Sequence, residues 1–321
     1  MTTSDVLDLD AELASDLDSD LEPELDEAAA MFTGVRPQLF GIVYRMLGSA
    51  AEAEDVLQEL WIRWHTTDRS VVMNPEVFLT TTATRLAMIV LHSARSRRET
   101  YTGPWLPEPV DTSEDTALGV EQVEALDVAL LVLLERLPPT ARAAFVLREA
   151  FGYAYADIAR IVQLPQAAAR QLVSRARKRI AQGKRTTVVP SKRRALLEAF
   201  VAAARAGDLA GLERLFAEDV VSRADSGGVV RLAARVPVVG RRKVARLLQA
   251  CAEIFWTGVT AWPLEVNGEI AMGLERHGEL FCVLTLTASD GGVDEILWQM
   301  NPAKLERVRR SWSPSFAADD G

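Results

Sequence analysis

The sequence predicts a multidomain chain. Two all-α helical domains come first, the second carrying a helix-turn-helix, and an α+β domain with a curved antiparallel sheet follows. Three observations carry this. Apolar residues recur at helical spacing from Met31 to about Arg98 and again over Glu121–Ala181. Tyr155–Arg179 reads as a helix, a short turn and a second helix that ends in a basic cluster. After Lys192 the texture changes to β-branched runs punctuated by turn signals.

The elements follow in order. Residues 1–30 form an acidic tail with eleven Asp or Glu and no Lys or Arg, expected to be disordered or weakly helical. Such a tail keeps the chain soluble; a sharper role is to screen basic surfaces elsewhere in the chain. The first helical domain spans 31–100. Phe32, Val35, Leu39, Ile42, Val43 and Met46 share a helical stripe that Gly48-Ser49 ends. Leu57, Leu60, Trp61 and Trp64 line one face of the next helix, Ala51–His65, and Asn74-Pro75 caps a third helix to about Ala94. Residues 101–120 form a linker whose prolines and glycines exclude helix. Tyr101, Trp105 and Leu106 are large apolar groups for a linker, which predicts that it docks on something.

The second helical domain spans 121–182. Val123, Leu126, Leu130, Leu133 and Leu134 form a stripe stopped at Leu137-Pro138-Pro139, Thr140 is the expected N-cap of the next helix, and Gly152 ends that helix. In the helix-turn-helix, Ile158, Ala159 and Val162 mark the buried side of the first helix. Ala168, Leu172, Ala176 and Ile180 are the expected buried face of the second. Residues 183–192 form a second linker and 193–305 the α+β domain, with 306–321 as a tail. In that domain Leu196–Ala206 is helical, Asp208 caps a helix to about Ala217, and Lys243–Phe255 is helical. Leu280–Thr287 and Val293–Met300 read as paired strands, with turns at Gly227-Gly228, Asn267-Gly268, His277-Gly278 and Asp290-Gly291-Gly292.

Composition narrows the function classes. The net charge is −9, but residues 1–30 contribute −11, so the other 291 residues sum to +2. Arg136–Arg194 holds fourteen Lys or Arg against Glu149 and Asp157, a net +12 centred on the helix-turn-helix, the electrostatic footprint of a polyanion binder. No apolar run approaches the roughly 18 residues of a membrane span, and the N-terminus lacks the pattern of a signal peptide. Two distant cysteines, Cys251 and Cys282, and three scattered histidines give no disulfide framework and no metal cluster. A reducing cytoplasm is the expected location, with no cofactor and no metal.

Motifs in four parts of the chain carry a resemblance to a known family. EAEDVLQELWIRWH at 52–65, with NPEVFLTTTATRLA at 74–87 and RSRRE at 95–99, resembles region 2 of sigma-70-type factors of the extracytoplasmic-function (ECF) subfamily. LERLPPTARAAFVLREAFGYAYADIARIV and the RQLVSRARKR helix resemble region 4. The linker YTGPWLPEP and the late NPAKL at 301–305 resemble a subgroup with a fused SnoaL-like domain, a cone of helices and curved sheet around a central pocket.

The resemblance implies an alternative sigma factor that binds core RNA polymerase, through the β′ clamp helices and the β flap, and directs initiation at a two-part promoter. Asp55, Gln58 and Glu59 share a polar face opposite the Trp/Leu stripe, which in the family meets the clamp helices. Taken alone, that face is a solvated surface with a Glu59–Arg63 pair. Residues 74–98 correspond to the segment that opens the −10 element, where Arg85, Arg95, Arg97 and Arg98 supply cationic grips and Thr80–Thr82 hydroxyl contacts. Phe78 either stacks there or packs in the core. Met88-Ile89-Val90-Leu91-His92 replaces the polar run usual in the family, which points to stronger packing there. On the recognition helix, Gln166, Arg170, Gln171 and Ser174 are placed for the −35 element, and Arg175, Arg177 and Lys178 for phosphates.

The fused domain is expected to be an intramolecular regulator. Trp105, Leu106 and Pro107 of the linker would meet Asn301, Pro302, Lys304 and Leu305. Catalysis there would need a convergent acid/base set; the candidates Asp225, Glu253, Glu265, His277 and Glu279 sit in no compelling motif, so no enzymatic activity is expected. Two alternatives stay open at this point: a ligand-sensing DNA-binding regulator that acts without the polymerase core, and a SnoaL-type enzyme with a helical appendage. A separate anti-sigma partner is left undecided.

Overall fold

The computed structural model describes residues 27–99, 101–112, 128–183, 188–230 and 233–311, with the side chains of 94–99 outside the description. The acidic tail before residue 27, the side chains of Arg95, Arg97 and Arg98, and Val123 and Leu126 therefore lie outside the described residues.

Residues 27–99 form three α-helices, with a short 3-10 turn at Arg69–Val71. α1 spans 27–47, α2 Ala50–Thr66 and α3 Pro75–Glu99. Ser49 caps α2 by accepting from the Glu52 amide, and Asn74 Oδ1 accepts from the Val77 amide at 3.0 Å at the start of α3. Most of the expected stripe is buried: Phe32, Leu39, Ile42, Val43, Met46, Leu57, Leu60 and Trp64 lie in the core, joined by Tyr44 and Leu79, while Val35 and Trp61 are only half-buried against it. Phe78 packs on Trp64 with ring centroids 5.8 Å apart, so it is a core residue here rather than a stacking platform. Of the apolar run, Leu91 is buried and Met88 and Val90 pack on the core, while Ile89 and His92 face solvent.

α4 (Val128–Leu134), α5 (Pro139–Glu149), α6 (Tyr155–Ile161) and α7 (Gln166–Gly183) follow. Thr140 does not cap α5: Pro138 occupies that position and Pro139 opens the helix. Proline's missing N–H and fixed φ cost nothing in a first turn. Between α6 and α7, Gln163 turns the chain at φ 56° and the Leu164 amide reaches back to the Ala159 carbonyl, a Schellman closure that makes the turn of the helix-turn-helix. The buried face of α7 is Ala169, Val173, Ala176 and Ile180, with Ala168 and Leu172 only half-buried. A strict four-residue stripe drifts about 40° per step on a 3.6-residue helix, so the real face alternates steps of three and four. α1–α3 and α4–α7 share one continuous apolar core.

The C-terminal part opens with α8 (Pro190–Ala206) and α9 (Leu209–Leu215). Asp208 caps α9, which stops at Leu215 rather than Ala217 because Phe216 already pairs with Val293. β1 (Phe216–Asp225), β2 (Val238–Val239), α10 (Arg241–Trp256), β3 (Val259–Val266), β4 (Glu269–Arg276), β5 (Glu279–Ser289), β6 (Gly292–Gln299) and α11 (Pro302–Ser311) complete it. The six strands form one sheet in the order β2-β1-β6-β5-β4-β3. It is mixed rather than wholly antiparallel, since β1 runs parallel to β6. Asn267-Gly268 and His277-Gly278 are both left-handed, which suits the two-residue hairpins β3–β4 and β4–β5. Register shifts in β1, β4 and β5 bend the sheet around α8 and α10, where Phe200, Phe216, Phe255 and Trp298 pack edge to face or tilted. α11 continues past Leu305, so residues 306–311 are helix and not tail.

Candidate polymerase, promoter and linker contacts

Helix α2 presents Asp55, Gln58 and Glu59 to solvent on one side, with Glu59 paired to Arg63 at 2.8 Å. The adjoining Glu54 meets Arg36 at 2.5 Å and Arg307 of α11 at 3.4 Å. The linker holds the other end of this helix. Glu108 Oε2 accepts from the Ser49 hydroxyl at 3.0 Å and the Ala51 amide at 3.2 Å, placing a carboxylate on the positive end of the α2 dipole.

On α3 the expected grips are arranged differently from the sequence reading. Arg85 donates through Nε to Ile161 O at 3.1 Å and through Nη2 to Arg160 O at 3.0 Å, so its guanidinium is engaged on the end of α6. Thr80 is buried, its hydroxyl 3.1 Å from the Tyr153 hydroxyl, and the Thr82 hydroxyl bonds its own helix at Phe78 O. Region 4 packs on this face of α3, and spacing within α3 alone carries no sign of that.

Helix α7 leaves Gln166, Arg170, Gln171, Ser174, Arg175, Arg177 and Lys178 exposed, as a groove-entering helix requires. Arg170 lies 5.5 Å from the Tyr155 ring centroid and Arg175 donates to Gln171 at 3.3 Å. Arg177 is held by Glu149 at 2.7 Å, and that carboxylate raises its pKa above the ordinary arginine value.

The linker passes between the helical core and the sheet domain. Asp225, at the end of β1, is fully buried and is the hub: its Oδ2 accepts from the Leu106 amide at 2.8 Å and from Lys304 Nζ at 2.7 Å, and its Oδ1 accepts from the Tyr101 hydroxyl. Lys304 also donates to Leu106 O at 2.6 Å and sits 4.1 Å from the Trp105 ring centroid. Asn301 Nδ2 donates to the Tyr101 hydroxyl at 2.8 Å, and Gln299 Nε2 donates to Pro107 O at 3.0 Å. Burial, then the bond to Asp225, pushes the Tyr101 phenol well above its ordinary pKa. Of the expected partners, Trp105, Leu106, Pro107, Asn301 and Lys304 come together. Pro302 begins α11 in solvent, and Leu305 is buried with Val266, Leu280 and Val283 behind the sheet instead.

A second contact was invisible in the sequence. Asn267, in the β3–β4 turn, is 1% exposed; its Nδ2 donates to the Tyr44 hydroxyl at 2.6 Å and its Oδ1 accepts from the Val110 amide at 3.1 Å. Tyr44 in turn donates to Glu108 O at 2.6 Å. Helix α1, the linker and the sheet domain thus meet in one buried polar network. The signal was an Asn-Gly turn, which specifies backbone shape and says nothing of a tertiary partner.

The comparisons with known proteins match both helical units. The family described as Sigma-70 region 2 matches residues 31–97, covering α1–α3, and Sigma-70, region 4 matches 127–180, covering α4–α7. The chain is 40% identical over 289 residues to the ECF RNA polymerase sigma factor SigJ of Mycobacterium tuberculosis, covering 85% of this chain and 92% of that protein. The chain belongs to the ECF sigma factors. It is also 29% identical over 295 residues to the probable ECF sigma factor SigI of the same organism, covering 88% of this chain and 97% of that one. The crystal structure of SigJ superposes with a TM-score of 0.69 at 33% identity, covering 87% of this chain and 98% of that chain. Regions 2 and 4 cannot account for coverage of that extent, so the likeness runs into the SnoaL-like domain.

In this sigma factor the cone holds a half-open cavity of about 60 Å³ lined by Ala224, Leu248, Cys251, Phe255, Trp298 and Met300. The acids and the histidine considered for catalysis do not converge on it. Asp225 faces the linker, and Glu253, Glu265, His277 and Glu279 are exposed on separate elements. Trp298 Nε1 is satisfied inside the cone by the Ser222 hydroxyl at 3.1 Å. No helix among the described residues is long and apolar enough to cross a membrane.

Proposed function

We propose that this ECF sigma factor is regulated by its own C-terminal domain, which holds the linker between regions 2 and 4. The observation that carries this reading is the buried Asp225 carboxylate, bonded to the linker through Tyr101 and the Leu106 amide and neutralised by Lys304. A buried charge of this kind is tolerated only while its partners stay in place, so linker docking and domain integrity are coupled.

In this reading the factor binds core polymerase through Asp55, Gln58 and Glu59, whose exposure on α2 fits a docking face. Gln166, Arg170, Gln171 and Ser174 read the −35 element, with Arg175, Arg177 and Lys178 on phosphates; Arg85, Arg95, Arg97 and Arg98 serve the −10 element once Arg85 leaves α6. The C-terminal domain regulates and does not catalyse, and the protein works in the cytoplasm. The linker also bonds the N-terminus of α2 through Glu108, so holding the linker bears directly on the helix that meets polymerase.

Run-off transcription with purified core polymerase and the full chain tests the proposal. Initiation that depends on the chain, and rises when Asp225→Asn loosens the linker, is the expected result. Initiation that ignores Asp225→Asn would refute autoregulation, and no initiation with any promoter fragment would refute the assignment of the polymerase and promoter contacts.

A further inference from the structure

We propose that the acidic segment of residues 1–26 lies along the cationic face of α7 in the free chain and competes there with DNA, standing in for the phosphate backbone. The inference rests on reading α7 as the −35 helix. The C-terminal domain and the linker take no part in it.

Helix α7 carries Arg170, Arg175, Arg177, Lys178 and Arg179, all exposed, and no acid. Each other described helix with three or more cations also contains an Asp or Glu. Among the described residues, Arg177 is the one of the five that meets a carboxylate, Glu149 at 2.7 Å. The cations of α11 are engaged elsewhere: Arg307 with Glu54, Arg309 with the Leu280 carbonyl and Arg310 with Glu306. Five like charges within about 14 Å of helix repel one another, and any polyanion laid along them relieves that repulsion.

Residues 1–26 hold ten Asp or Glu and no Lys or Arg. Asp8, Glu12, Asp16, Asp20 and Glu24 recur at four-residue steps. On a helix, acids so spaced share one side and repel unless a cationic surface faces them. The two segments therefore have opposite charge and the same need for a partner.

Reach is ample. Residue Glu27 opens α1, and eleven residues on, about 16 Å along the helix, Gln38 Nε2 donates to the Tyr153 hydroxyl at 3.1 Å. Two residues beyond Tyr153, the Tyr155 ring lies 5.5 Å from the Arg170 guanidinium. Twenty-six residues span at most roughly 90 Å, enough to reach this point and run the length of α7. Tethering holds the segment at an effective concentration of about a millimolar, so even a weak contact fills the site. Competition divides the affinity for every duplex by one factor, which empties marginal, non-specific complexes first.

The test uses the full chain with dyes at Ser4→Cys and Ala181→Cys, the latter exposed at the end of α7, in a Cys251→Ser background; Cys282 is buried and unreactive. Energy transfer reports the segment on α7. Two sets of substitutions remove one side of the contact each: Asp8→Asn, Glu12→Gln, Asp16→Asn, Asp20→Asn and Glu24→Gln together, or Lys178→Gln with Arg179→Gln. Transfer should fall in both, and in the unmodified chain it should fall as a mixed-sequence duplex of about 20 base pairs is added. The chain with the neutralised acids should bind that duplex about two- to tenfold more tightly at low salt, with the gain shrinking as salt screens the contact.

Transfer that ignores both sets of substitutions overturns the docking, and a gain in duplex affinity without a change in transfer then reports net charge alone. Unchanged duplex affinity in the neutralised chain overturns the competition. Transfer that rises with protein concentration would put a second copy's segment on α7 and overturn the intramolecular contact. A chain whose segment docks but which binds no duplex, neutralised or not, would instead count against α7 as the promoter reader, which separates the two failures.

Discussion

The ammonium of Lys304 lies 2.7 Å from Asp225 Oδ2 and 4.1 Å from the centroid of the Trp105 ring, so one side chain neutralises a buried carboxylate and clasps the linker at once. The pair stands in chain segments 79 residues apart, at the end of β1 and in the first turns of α11. A third segment, the linker, completes the site. None of the three makes the contact alone.

Asp225→Asn should destabilise this junction by about 3–5 kcal/mol, the usual cost of stranding a buried charge. The new amide also turns its N–H groups either toward Lys304 and the Leu106 amide, both donors, or toward the Tyr101 hydroxyl and the Gly227 amide. Chemical denaturation reads the loss, and limited proteolysis near Trp105 should speed up. Adding Lys304→Met to Asp225→Asn should restore much of the stability, because no buried charge is then left unpaired. A double variant no more stable than Asp225→Asn would contradict this account of the pair.

Gly48 ends α1 at φ 65°, and a Cβ there would lie 2.6 Å from the Trp105 ring. Gly48→Ala should therefore cost on the order of 1–2 kcal/mol for the left-handed backbone, plus the displacement of Trp105. In a double-mutant cycle with Trp105→Ala the second part should vanish. Strictly additive effects would mean that the indole does not press on this turn.

On the recognition helix, phosphate contacts should show in the salt dependence of promoter binding. Arg175→Ala and Lys178→Ala should each reduce the slope of log affinity against log salt by about 0.9. Arg177→Ala should reduce it less, since its charge is already shared with Glu149 at 2.7 Å. Equal slopes for all three would show that Glu149 releases Arg177 on binding.

Alkaline pH should open the interfaces. Burial raises the pKa values of Tyr44, Tyr101 and Tyr153 above the ordinary phenol value of 10.0. A folded-state pKa above the unfolded one gives stability that is complete below about pH 10 and lost as pH climbs through the folded values. Tyrosinate absorbance should thus rise late and together with loss of the junctions, and Tyr44→Phe should remove part of that pH dependence. Tyrosines that titrate freely near pH 10 while the fold persists would rule out buried phenols at these contacts.

Much of the chain is legible in its sequence. Capping and turn residues sit where backbone chemistry requires them: Ser49 and Asp208 at helix starts, Asn267-Gly268 and His277-Gly278 in hairpins. Local rules erred where another local effect won, as at Thr140, displaced from the cap by Pro138-Pro139. They also erred at Leu305, which the helical pattern places correctly but whose partner is the back of the sheet.

The sequence by itself determined the helices other than α11, the helix-turn-helix, the basic surface around it and the class of the third domain, because each follows from local spacing and composition. Only the tertiary structure decided what the polar groups do. Arg85 looks like a DNA grip until α6 offers it two carbonyls, Asp225 looks like a candidate acid until Lys304 and the linker close around it, and Asn267 looks like a turn residue until Tyr44 bonds its amide. Side-chain hydrogen bonds are satisfied by whatever lies within about 3 Å in space. That partner is set by packing between segments 76, 79 and 223 residues apart, a distance over which sequence spacing holds no information.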